Sequence, residues 1–121
     1  MEPDKNYTRI ELLCGEFLNS KDPYGKMDPY IKMSCGPHNF LSTTKKGAGL
    51  HAIWNREYFF LPTDDLDESR VKIEAWDWDL ITANDLIGQT SVSIEELESK
   101  VSHEIPISKN GLPEGHIRVM V

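Results

Sequence analysis

Several things are scarce in this 121-residue chain, and each scarcity excludes something. There are only two cysteines, Cys14 and Cys35, with no C-x-x-C pair and no Cys/His spacing of a zinc site. They read as free thiols of a reducing compartment rather than as a disulfide framework. No apolar run approaches the ~20 residues that a membrane-spanning helix needs. Bases are outnumbered, with 13 Lys and Arg against 20 Asp and Glu, for a net charge of −7. An acidic chain without an arginine cluster is a poor reader of nucleic acid, so no nucleic-acid partner is expected. The opening Met1-Glu2-Pro3-Asp4-Lys5 is polar and acidic, unlike a secretory or transit leader, so a cytoplasmic location is expected. The four histidines, His38, His51, His103 and His116, are dispersed and form no catalytic cluster.

What is present is a series of short strand-like segments divided by turn chemistry. Alternation or β-prone composition marks Arg9–Leu13, Tyr30–Met33, Phe40–Thr44, Glu57–Leu61, Arg70–Trp76, Leu86–Ile94, Glu104–Ser108 and His116–Val121. Within Arg70–Trp76, Val71, Ile73 and Ala75 fall on one face and Lys72, Glu74 and Trp76 on the other. Residues 95–100 suit one or two helical turns. About eight short strands at regular spacing predict an all-β, eight-stranded antiparallel sandwich, and 121 residues predict one domain over 1–121.

The informative acids are five aspartates. Asp22 and Asp28 bracket one loop as D-x5-D, and Asp77, Asp79 and Asp85 occupy another as D-x-D-x5-D. Two carboxylates at ~4 Å repel by about 4 kcal/mol at an effective dielectric near 20, so a fold that gathers five needs a cation to resolve the repulsion. All-oxygen ligation of this kind suits a hard cation, with Ca2+ accepting 6–8 oxygens in flexible geometry. An EF-hand is excluded. Counting Asp77 as the first ligand, the fifth position is Ile81 and the sixth is Thr82, where that loop requires an oxygen ligand and a glycine. A calcium site here must therefore be assembled from two separate loops.

These loops carry a resemblance. Asp22-Pro23-Tyr24-Gly25-Lys26-Met27-Asp28-Pro29-Tyr30-Ile31-Lys32 is similar to the D-x-x-G-x-S-D-P-Y-V-K signature of C2 domains, the calcium- and phospholipid-binding sandwiches of protein kinase C and synaptotagmin. Ile53–Phe60 resembles P-x-W-N-E-x-F-x-F, Val71–Asp79 resembles L-x-I-x-V-W-D-x-D, and Asn84–Gly88 resembles N-D-x-I-G. The closing Gly115-His116-Ile117-Arg118-Val119-Met120-Val121 resembles the strand that the second, circularly permuted C2 topology places at its C-terminus.

The resemblance implies a metal site of Asp22, Asp28, Asp77, Asp79 and Asp85. The backbone carbonyls of Lys21 and Trp78 and the hydroxyl of Thr82 complete it, around two or three calcium ions. It implies a non-enzymatic, calcium-dependent membrane-targeting and signalling module, recruited peripherally from the cytoplasm to anionic, phosphatidylserine-type membrane when calcium rises. Ile81 falls where relatives insert a side chain into lipid, and Tyr24 and Met27 are apolar loop residues available for the same contact. Tyr30, Lys32, Trp76 and Asn84 match a phosphoinositide cluster, but two of its strand lysines are replaced by Ser42 and Thr44, which weakens the expectation for a multiply charged headgroup. The usual Asn-Pro before the tryptophan is His51-Ala52. The alternative is a protein-interaction C2 domain that docks its partner without calcium. Paired carboxylates also serve acid–base and metal-assisted hydrolysis, but no nucleophile–base constellation accompanies them.

Overall fold

A computed structural model describes residues 7–20, 26–62 and 70–121, the side chain of Pro62 excepted. Eight strands and one short helix follow in the order β1 (Tyr7–Phe17), β2 (Pro29–Cys35), β3 (His38–Leu41), β4 (His51–Pro62), β5 (Arg70–Asp77), β6 (Asp85–Ser93), α1 (Ile94–Glu98), β7 (Ser102–Lys109) and β8 (Leu112–Met120). All strand pairs are antiparallel, in the spatial order β3-β2-β5-β6-β7-β8-β1-β4. β6 and β7 meet only at Gln89 and Ser108. The sheet therefore divides there into two four-stranded halves that close over one core.

Period-two alternation builds that core. Ile31, Met33, Val71, Ile73, Ala75 and Ile87 face inward from one half; Ile10, Leu12, Trp54, Phe59, Leu61, Ile107, Ile117 and Val119 face them from the other. Lys72 is exposed, as its face predicts. Glu74 departs from the prediction: it is buried, with its carboxylate 3.2 Å from the Lys72 ammonium and its backbone opposite Lys32. The C-terminal strand β8 lies between β7 and β1, the place that the permuted topology assigns to it.

β1 and β4 run well beyond their predicted spans, through a shared irregularity. Leu12 pairs Glu57 but Cys14 pairs Ile53, so β4 inserts extra residues here, with Arg56 in the left-handed region at φ 57°. A bulge of this kind reverses side-chain parity and hides the alternation from a sequence reader. Where β8 begins to pair with β1, Gly115 has φ 127°, and a Cβ there would stand 2.0 Å from the Glu16 carbonyl oxygen. Only glycine lets β8 approach β1 at Phe17.

The helix begins where Ser93 accepts the Glu96 amide at 3.0 Å, and Ile94 and Leu97 bury its apolar side. Both cysteines are free thiols; Cys35 is buried and Cys14 half-buried. Burial raises both thiol pKa values, although Arg118 partly offsets the effect at Cys14.

Candidate functional site

Strand register brings the acidic segments to one edge of the fold. Pro29, the first residue of β2, pairs Asp77, the last of β5, and Asp77 pairs Asp85, the first of β6. Asp28, Asp77 and Asp85 thus stand on three neighbouring strand ends, and residues 78–84 arch beyond them. Trp78 donates its amide to the Asp28 carbonyl at 3.0 Å, tying the two segments together. Asp22, Lys21 and Tyr24 lie outside the described residues.

Backbone amides occupy the carboxylates of this rim. Asp77 is buried, and its Oδ1 accepts the Asp28 N–H at 2.8 Å. Asp28 Oδ1 accepts the Gly47 N–H at 2.6 Å. Asp79 folds back on its own loop, where its Oδ1 accepts the Ile81 amide at 2.9 Å and the Thr82 amide at 3.2 Å. Chiefly the Ile81 amide, with the Thr82 hydroxyl and amide, holds the Asp79 carboxyl below its ordinary value of 3.8. The Thr82 hydroxyl oxygen also lies 3.4 Å from the Ala83 carbonyl oxygen. Among the described residues, no three acidic, His or Cys side chains are gathered closely enough to hold an ion. The four described aspartates share one edge, and the carboxylates of Asp28, Asp77 and Asp79 are turned to amides.

The tip of the arch is apolar and free of the core. Leu80 is 79% exposed and Ile81 90% exposed. Met27 is different. Its loop position suggests a lipid-facing side chain, yet it is 0% exposed and packs in the core beneath the rim, where its carbonyl accepts the Gly49 amide at 3.0 Å. The inward parity of β2 is set close before the strand begins, and Met27 is corrected to a core residue.

The turn between β3 and β4 completes the rim, and sequence reading misses it. Lys45 donates its amide to Pro29 O at 2.9 Å, Gly47 caps Asp28, and the Lys46 ammonium stands 5.0 Å from the centre of the Trp78 ring. Gly47 and Gly49 adopt φ 70° and 68°, so the two glycines flanking Ala48 are the available signal.

A second cluster lies on the outer face of the β3-β2-β5 layer. Tyr30, Lys32, Trp76 and Asn84, with Asn39 and Leu41, line an open groove of about 660 Å3. Asn84 Nδ2 donates to the Tyr30 hydroxyl at 2.9 Å, while Asn84 Oδ1 accepts the Asp79 amide at 2.8 Å. One amide side chain therefore joins the groove to the rim. Among the described residues, Lys32 is the one cation lining the groove, and Glu74 sits between Lys32 and Lys72 on neighbouring positions. One lysine leaves the groove weakly basic.

No helix among the described residues is long and apolar enough to cross a membrane.

Comparison with known proteins places this architecture. Residues 6–107 match the C2 domain family. The eye isozyme of protein kinase C from Drosophila melanogaster is 33% identical over 100 residues, which cover 78% of this chain and 14% of that kinase. The chain thus spans a small segment of that longer relative. Among solved structures, a C2 domain of plant Extended Synaptotagmin 1 superposes with a TM-score of 0.78 at 18% identity, covering 92% of this chain and 88% of that one. A two-domain C2 segment of Extended-Synaptotagmin 2, described as calcium bound, superposes with a TM-score of 0.76 at 23% identity, covering 93% of this chain and 44% of that one. The permuted strand order, the acidic edge built from three strand ends, and a family match across most of the chain lead to one conclusion: the chain belongs to the C2 domain family.

Proposed function

We propose that this chain, as one module over 1–121, is a calcium-dependent binder of anionic phospholipid membrane. One observation carries the reading: Asp28, Asp77 and Asp85 occupy adjacent strand ends, and the loop arching beyond them presents Leu80 and Ile81 to solvent. The donor chemistry fits a hard divalent ion, since every side-chain ligand expected from Asp22, Asp28, Asp77, Asp79, Asp85 and Thr82 is an oxygen, and the Lys21 and Trp78 carbonyls add two more. Calcium, when bound, supplies positive charge with open coordination positions for lipid phosphate or carboxylate oxygens.

Charge explains why such a module needs the ion. Five of the seven net negative charges are these aspartates, and the remaining acids nearly balance the bases. Left uncompensated, the aspartates repel an anionic surface. With the aspartates neutralised, Lys26, Lys45 and Lys46 each contribute about 1 kcal/mol at such a surface. Ile81 adds shallow apolar insertion, with full burial of such a side chain worth about 1.5–3 kcal/mol. Lys32 alone in the groove supports at most weak preference for a multiply charged headgroup.

Sedimentation with phosphatidylserine vesicles tests the reading. The protein is expected to pellet with vesicles in calcium and to stay in the supernatant with chelator. Equal pelleting in both would end the calcium-dependent reading.

One observation favours a second reading, in which the domain docks a protein. Tyr7, Tyr58, Phe60 and Met120 are exposed on the outer face of β1, β4 and β8, with the Arg9 guanidinium 5.0 Å from the centre of the Tyr58 ring. Aromatic and arginine side chains are enriched at protein interfaces.

A further inference from the structure

Resting on the calcium reading above, we propose that the Lys45–Gly49 turn is a positioning element of the acidic rim, acting through Lys46 and Gly47. This turn contributes no carboxylate. It instead touches both acidic segments at once. Gly47 places its amide on Asp28 Oδ1 at 2.6 Å, and Lys46 places its ammonium over the ring of Trp78, the residue between Asp77 and Asp79. Two further bonds, Lys45 N–H to Pro29 O at 2.9 Å and Gly49 N–H to Met27 O at 3.0 Å, anchor the turn to residues flanking Asp28. The Trp78 amide closes the circuit on the Asp28 carbonyl at 3.0 Å. Asp28 is therefore held from the side chain by the turn and from the backbone by the second acidic segment. The turn fixes the spacing of the two segments before any ligand arrives.

The local chemistry is suited to this. Gly47 has φ 70°, a conformation that L side chains rarely adopt, and this aims its N–H at Asp28. Lys46 is otherwise exposed, so its contact with Trp78 does not come from burial. An ammonium over an indole face is attracted by the ring's quadrupole, and at an exposed site this is a weak tether that substitution can remove without unfolding the domain.

The sign of the effect separates positioning from simple charge. If Lys46 were only a cation near a cation site, removing it would strengthen calcium binding. If it positions Trp78 and the rim, removing it weakens binding. Three variants decide. Amide hydrogen exchange is measured in calcium-free wild type, Lys46→Met, Lys46→Arg and Gly47→Ala, and calcium affinity is measured by calorimetry without lipid. In Lys46→Met, exchange at the Gly47 and Trp78 amides is expected to quicken about two- to fivefold, while core amides such as Ile73 hold. Calcium affinity falls by a similar factor. Lys46→Arg, which keeps the cation over the ring, restores both. Gly47→Ala, whose Cβ meets nothing within 4 Å, introduces backbone strain alone and moves the same amides in the same direction.

Unchanged exchange in Lys46→Met, or a calcium affinity that rises or holds, would overturn the proposal. If wild-type protein binds no calcium, the calcium reading has failed, and the exchange measurements in the calcium-free protein alone decide whether the turn positions the rim.

Discussion

The rim and the groove are neighbours built on opposite plans. In the rim, Asp28, Asp77 and Asp79 are each satisfied by backbone amides, so charge that repels itself is spread over N–H dipoles. In the groove, side chains satisfy one another, as Asn84 does with Tyr30, and beside it Glu74 pairs with Lys72 at 3.2 Å. A rim whose carboxylates are held by amides keeps its negative charge available to a cation. A groove lined by a single lysine has little charge to offer an anion. What already faces a charge thus matters alongside how many charges a region holds.

The largest expected effect breaks the rim alone. Asp77→Asn with Asp79→Asn is expected to weaken calcium-dependent vesicle binding about a hundredfold or more, because ligand charge sets affinity at such sites. Asn keeps an acceptor for the Asp28 and Ile81 amides, so circular dichroism should report an intact sandwich. The matching groove variant, Lys32→Gln, should weaken vesicle binding only severalfold.

Next is the arch. Ile81→Ser is expected to lower partitioning into phosphatidylserine vesicles by about tenfold at fixed calcium, from loss of shallow apolar burial, with lipid-free calcium affinity unchanged. A smaller effect probes the joint between the two regions. Asn84→Ala removes the acceptor of the Asp79 amide and should cost calcium affinity about three- to tenfold, the range of one net hydrogen bond. Tyr30→Phe removes only the groove partner and should leave calcium affinity within about twofold. Equal losses in the two variants would mean that rim and groove act as one unit.

The smallest effect is in acid. The Asp79 carboxyl is held below 3.8, so the cap it makes with Ile81 and Thr82 is fully present above that value. It is lost as pH falls through the lowered native value. Carbon-detected titration of Asp79 should give a midpoint below 3.8, and an ordinary midpoint would show the cap absent in solution.

Most of the fold is legible in the sequence because its signals are local. Val71, Ile73 and Ala75 alternate cleanly and face inward as read, and the short helix Ile94–Glu98 overlaps the 95–100 stretch read as helical turns, beginning one residue earlier. The start of β4 is not legible. Ala52 and Trp54 are buried on one side, but the bulge near Arg56 shifts parity before Phe59 and Leu61 resume it. Alternation puts Glu74 on a solvated face, and only the three-dimensional neighbourhood of Lys72 shows how it is buried. For the rim, the aspartate spacing points to adjacent strand ends, since Asp77 closes β5 and Asp85 opens β6. Met27 is missed because the inward parity of β2 extends into what reads as a loop, and the Lys45–Gly49 turn escapes because its role depends on hydrogen bonds between segments about twenty residues apart, which no periodicity encodes.

Calorimetric titration of the lipid-free wild-type protein with calcium is the most direct test of whether these carboxylates serve one metal centre. Saturable binding of two or three ions, lost in the Asp77→Asn, Asp79→Asn protein, is the expected result. A flat titration, or wild-type affinity retained in that double variant, would contradict it.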